Sequence, residues 1–151
     1  MPNEKMSCFA DTNLLVYAVD PAEPEKRRRV TDLLRRIIRS HTLVLSPQSL
    51  NECYRVVTSK RDLMPRNEAR RFVWAWSQFC TAPNSFEATQ QAWQIQDEHG
   101  FNWWDCLLLA SASISRCDIF LSEDMQHEQM VAGLTLMNPF LLDPFRFFQV
   151  K

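Results

Sequence analysis

The chain reads as an α/β protein, a three-layer α/β/α sandwich around a parallel central sheet. Three observations predict this. Short apolar runs of three to five residues, at Cys8-Phe9-Ala10, Leu43-Val44-Leu45, Ile119-Phe120-Leu121 and Leu134-Thr135-Leu136-Met137, suit strands covered on both faces. Longer stretches with helical apolar spacing separate most of them. The joins are short, and alternating strands and helices with short joins specify parallel pairing. At 151 residues the chain fits one domain spanning 1–151, with a core over about 7–140 and an aromatic, proline-punctuated extension over 141–151 draped over the body.

The first run ends in Asp11-Thr12-Asn13, so the strand delivers a carboxylate at its C-terminal end, where ligands gather in open parallel sheets. A structural alternative is that Asp11 or Thr12 caps the helical turn beginning at Leu14. Asp20-Pro21 and Pro24 stop that turn, and a helix follows from about Glu25 to Ser40. Its Val30, Leu33, Leu34 and Ile37 share one side, while Arg28, Arg35 and Arg39 share the other and face water or RNA phosphate.

After the second strand, Ser46-Pro47 supplies a cap and a first-turn proline for another helix. Leu50, Cys53, Tyr54 and Val57 make its apolar stripe. Glu52 lies on a different face, either as a functional acid or as a surface partner of Arg55 at i+3. Lys60 to Pro65 reads as a charged connection. The helix expected over Arg66 to Cys80 carries Ala69, Phe72, Val73, Trp76 and Phe79 as a core stripe with Trp74 off it, and this aromatic surface also suits an oligomer or partner contact. A helix from about Ser85 to His99 ends at Gly100.

Trp103 to Ile114 is apolar nearly all round, the mark of a helix enclosed by protein. Its one charge, Asp105, lies in the first turn, where the helix dipole favours a carboxylate for purely structural reasons as well. Asp118 to Ser122 repeats the pattern of the first strand and is followed by Glu123-Asp124, so Asp11 and Asp124 are expected at the same sheet edge. Leu134 to Met137 is the fourth and last expected strand.

Composition narrows the chemistry. With only Gly100 and Gly133 there is neither a G-x-G-x-x-G nor a P-loop, which argues against nucleotide-cofactor folds. Five scattered cysteines without a C-x-x-C pair, and no charged-then-apolar leader, point to a reduced cytoplasmic protein. No run is long and apolar enough for a membrane span. His41, His99 and His127 are isolated, so a zinc site is not indicated. The formal charge of −1 hides a basic segment at Lys26 to Arg39 and an acidic one from Thr81 to Met130. Converging carboxylates repel and raise one another's pKa unless a cation neutralises them, and an all-oxygen donor set selects Mg²⁺ or Mn²⁺.

Four segments in order, Phe9-Ala10-Asp11-Thr12-Asn13, Glu52 within Ser46-Pro-Gln-Ser-Leu-Asn-Glu-Cys-Tyr-Arg-Val, Trp104-Asp105-Cys-Leu-Leu-Leu-Ala-Ser-Ala and Phe120-Leu-Ser122-Glu-Asp124, resemble the acidic motifs of PIN-domain ribonucleases, in spacing most like the VapC-like toxins. The resemblance covers residue 7 to about 140. It implies an α/β/α sandwich, Mg²⁺- or Mn²⁺-dependent RNA cleavage, dimerisation and inhibition by a VapB-like antitoxin. Carried onto this chain, Asp11, Asp105 and Asp124 hold metal, Glu52 is a ligand or orients the attacking water, and Asn13 and Ser122 fix carboxylate orientation. The family often has glycine before the Cys-Asp preceding its fourth motif, where this chain has Arg116, and Ser122 stands where threonine is common. Two other readings remain: a catalytically silent RNA- or partner-binding module, and a phosphatase, which would want Asp-x-Asp where the chain has Asp11-Thr12-Asn13.

Overall fold

The computed structural model describes residues 4–143. It contains five strands in the spatial order β2-β1-β3-β5-β4, with β1 Ser7–Ala10, β2 Thr42–Val44, β3 Ile119–Leu121, β4 Met130–Val131 and β5 Leu134–Met137. Pairing is parallel throughout except at the edge, where β4 runs antiparallel to β5. The expected parallel central sheet is present, and this hairpin adds one antiparallel edge strand to the four that the sequence predicts. β4 has only two residues, and one of them, Met130, is 62% exposed, so no apolar run marks it in the sequence. Gly133, at φ +83°, serves the turn that joins β4 to β5.

Six α-helices cover the sheet: α1 Thr12–Tyr17, α2 Pro24–Ser40, α3 Pro47–Arg55, α4 Arg66–Trp76, α5 Phe86–His99 and α6 Trp103–Ile114. Strand alternation divides the core in two. Cys8, Ala10, Leu43, Ile119 and Leu121 pack with α1 to α4. Phe9, Val44, Phe120, Leu134 and Leu136 face the other way, onto α5 and α6. Phe9 and Phe120 stack across neighbouring strands with centroids 5.2 Å apart, inside that second layer. The two faces of one sheet thus hold two separate cores, which is the three-layer arrangement that doubly buried strands require.

Local chemistry sets most helix ends. Ser46 caps α3 by accepting from the Ser49 amide, Pro47 occupies its first turn, and Gly100 closes α5 at φ +71° in the left-handed region. The sequence reading carried α4 to Cys80. It stops at Trp76 and tightens into a 3-10 turn, Ser77–Phe79, because Leu45 recruits this segment to the sheet margin: the Leu45 amide donates to the Phe79 carbonyl at 2.8 Å. Beyond α3 the chain widens into a π turn, Val56–Lys60, with the Arg61 amide donating to the Val56 carbonyl at 2.8 Å.

Arg116 adopts φ +57°. This is the position where glycine is common in the family the sequence resembles, and a side chain there costs about 1–2 kcal/mol. Of the C-terminal extension, Leu142 is buried and its carbonyl accepts from Arg29 Nη2 at 2.6 Å; the rest of that call, 144–151, lies outside the described residues. Among the described residues no helix is long and apolar enough to cross a membrane, and all five cysteines are free thiols.

Candidate active site

Five elements meet at the C-terminal edge of β1 and β3. Asp11 leaves β1 with its amide still in the sheet ladder, donating to the Leu121 carbonyl at 2.9 Å. It then caps α1, Oδ1 accepting from the Thr12 amide at 2.7 Å. The capping role and the functional position are therefore the same position. Ser122 leaves β3 alongside it and donates to Asp11 Oδ2 at 2.8 Å, while its oxygen accepts from the Asp124 amide at 3.2 Å. Asn13 donates through Nδ2 to Asp124 Oδ2 at 3.1 Å and to Ser122 Oγ at 3.3 Å. Asn13 and Ser122 thus bridge the carboxylates of neighbouring strand ends.

Glu52 approaches from α3 and is held on both oxygens, by Thr12 Oγ1 at 2.9 Å and Gln48 Nε2 at 3.0 Å. Gln48 Nε2 also lies 3.0 Å from the Trp104 carbonyl, which ties α3 to the first turn of α6. There Asn102 caps α6 by accepting from the Asp105 amide at 3.0 Å and donates to Asp105 Oδ2 at 2.6 Å. Asp11, Glu52, Asp105 and Asp124 all line one open cleft of about 850 Å³.

The electrostatics show what the arrangement lacks. Burial pushes the Asp11 carboxyl up to about 7; the bonds from Ser122 and Thr12 oppose this, and the charges of Asp105 and Asp124 add to it. Asp105 is raised by burial, against its bond from Asn102, with Asp124 and Glu52 contributing repulsion. Asn13 Oδ1 is a buried acceptor with no hydrogen-bond partner. An oxygen-only set of carboxylates under mutual repulsion, with a spare carbonyl oxygen beside it, fits a hard divalent cation. The set is not a closed cage, for among the described residues no three His, Cys, Asp or Glu side chains are grouped tightly enough to grip an ion.

The spare acids find structural work. Asp20 is wholly buried, caps the Ala22 amide at 3.0 Å and pairs with Arg61 Nη2 at 2.6 Å. Asp118 accepts from the Ser7 amide at 2.9 Å. Glu123 is bound by both Lys26 and Tyr17, which hold its carboxyl below the ordinary value even though burial alone would raise it. That knot fastens the Asp124 loop to α1 and α2.

Arg28, Arg35 and Arg39 do not line the cleft. Its cationic lining is instead Arg55, Lys60 and Arg61. The sequence reading missed these because it weighed Arg55 only as an alternative surface partner of Glu52 and read Lys60 as the start of a connection. The signal was their position one and two turns beyond Glu52 on a continuing helix. Thr12 and Gln48 were missed too, since neither residue type stands out without its partner. A further correction concerns α6, which is enclosed except at its start: Trp104 is 62% exposed and lines the cleft.

Residues 8–132 match the PIN domain family. The chain belongs to that family. The PIN fold is also seen in the solved structures it resembles. A chain from Rickettsia felis VapBC2, bound to a DNA fragment from their promoter, superposes with a TM-score of 0.65 at 16% identity, covering 88% of this chain and 98% of that one. A chain from a toxin-antitoxin complex of Klebsiella pneumoniae gives 0.64 at 16% identity, covering 87% and 97%. At such identity the likeness is one of fold. No curated protein sequence matches the chain.

Proposed function

We propose that this PIN domain is a Mg²⁺- or Mn²⁺-dependent endoribonuclease, the toxin of a VapBC-like pair, acting in the cytoplasm as a homodimer and restrained by a VapB-like antitoxin. The observation that carries the reading is that Asp11, Glu52, Asp105 and Asp124, from four separate parts of the chain, line one cleft at the carboxyl edge of a parallel sheet. Family membership and fold likeness to chains of toxin-antitoxin complexes support it.

In this reading Asp11, Asp105 and Asp124 hold the cation. When bound, it lowers the pKa of an attacking water and stabilises charge growing on the phosphate. Glu52, fixed by Thr12 and Gln48, is a further ligand or the group that orients and deprotonates that water. Ser122 and Asn13 keep Asp11 and Asp124 from rotating, which matters because partners of metal-binding carboxylates typically contribute 10–100-fold by themselves. No side-chain nucleophile is required.

Asp11→Asn, nearly isosteric, should lower RNA cleavage by more than about 100-fold while the fold survives, since a ligand outranks its supporting partners. Wild-type cleavage should stop in EDTA and return with Mn²⁺. Full activity of purified Asp11→Asn refutes the role given to Asp11. The open rather than closed acid set favours one competing reading, a silent RNA- or partner-binding PIN module. Salt-sensitive RNA binding with no cleavage at any Mn²⁺ concentration would establish that alternative.

A further inference from the structure

The cleft has two chemically different sides. Its carboxylates lie at the strand ends, while Arg55, Lys60 and Arg61 follow Glu52 along α3 and its π turn. Arg61 is anchored by wholly buried Asp20, so one edge of the guanidinium is spent on a fixed partner while the side chain stays 41% exposed. Among the described residues no ion pair or side-chain hydrogen bond engages the Arg55 guanidinium or the Lys60 ammonium.

Trp104 completes the lining. Its neighbour Trp103 packs against the core, yet Trp104 is largely exposed although Gln48 holds its carbonyl and the Asn102 cap holds the amide of the next residue, Asp105. The exposure is therefore not fraying of a helix end. It also differs from that of Trp74, 80% exposed on α4, which borders Arg70, Arg71 and Ala75 and shares nothing with the carboxylates. An exposed indole on a secured helix start beside Asp105, with the amide side chains of Asn51 and Asn84 in the same cleft, matches the flat face and polar edge of a nucleobase.

We propose that Trp104 is a base-stacking, specificity-determining residue of this cleft: it takes an unpaired base of an RNA strand whose phosphates run along Arg55, Lys60 and Arg61. The inference rests on the nuclease reading only for the identity of the polymer as RNA. A base inside a duplex offers no free face to the ring, so the site selects single-stranded segments.

The test measures binding rather than turnover. Fluorescence anisotropy with the Asp11→Asn protein, Mg²⁺ and a labelled single-stranded RNA oligonucleotide should show binding at least about tenfold tighter than to the same strand annealed to its complement. Trp104→Ala should lose about tenfold for the single strand and little for the duplex, and Trp104→Phe should regain most of the loss. Replacing Arg55 and Lys60 together by glutamine should weaken binding to every sequence and flatten the salt dependence by about 1.4 in log–log slope, two phosphates' worth for a single strand. Circular dichroism of each variant guards against misfolding. Equal affinity for single strand and duplex overturns the proposal. A Trp104→Ala protein that binds RNA like its parent also overturns it, and assigns the ring to a protein partner. The nuclease reading fails separately, if the wild type does not cleave with Mn²⁺ while its RNA affinity still depends on Trp104.

Discussion

Helix α2 and the α3 segment with its π turn are both basic, and they handle charge in opposite ways. On α2 the cations are dense in sequence but partly answered locally: Arg28 pairs with Glu25, Arg36 with Asp32, and Arg29 is turned inward to the carbonyls of Pro139 and Leu142. On the α3 side there are only three, and they stand beside carboxylates in a concave site. Exposed ion pairs at i+3 or i+4 contribute only a few tenths of a kcal/mol and mainly solvate a face. Placement in a cleft, rather than density along the chain, is what brings cations beside the carboxylates.

The largest expected effect separates the two regions by stability. Arg61→Ala strands Asp20 in the interior, and chemical denaturation should register a loss of about 2 kcal/mol, below the usual figure for a broken buried pair because Arg61 is itself partly exposed. A loss under about 0.5 kcal/mol would mean that water reaches Asp20. Next comes Lys26→Met, which removes an α2 cation that does serve the site. With Tyr17 as its one remaining partner in the knot, Glu123 pins the Asp124 loop less firmly, so the concentration of Mn²⁺ giving half-maximal cleavage should rise by up to about tenfold, with Lys26→Arg restoring most of it. An unchanged Mn²⁺ requirement would reduce the knot to packing. The smallest effect is expected from the triple variant Arg28, Arg35 and Arg39→Gln, whose cleavage of a short single-stranded RNA should change by less than about threefold, in kinetics at moderate salt. A tenfold loss there would erase the contrast and return α2 to the RNA surface.

The legibility of the sequence follows the same division. The three-layer fold was readable because doubly buried strands are uninterrupted apolar runs, and Phe9 and Phe120 sit where that pattern puts them. The positions of Asp11, Asp105 and Asp124 at the sheet's carboxyl edge were readable because strand ends and helix starts are marked by local chemistry, a cap at Asp11 and Asn102 and a ladder terminus at Ser122. Glu52, inside α3, stood out only through the family resemblance. Features that depend on tertiary partners were not readable. Gln48 ties α3 to α6 because it reaches Trp104 across 56 positions, Arg61 is anchored because Asp20 is buried opposite it, and β4 forms because β5 lies alongside. The exposed ring of Trp104 was concealed by the apolar composition of its own helix.

The widened turn at Val56–Lys60 sets an angular phase for everything after it. Each residue of a regular helix advances the azimuth by about 100°, and an i→i+5 turn takes up about one residue more than an i→i+4 turn, so ordinary winding over the same residues would swing Lys60 and Arg61 a comparable angle around the axis. Glu52, upstream, would stay where it is. The one extra residue absorbed here is thus a mechanical dial that sets cation against carboxylate without altering the identity of either.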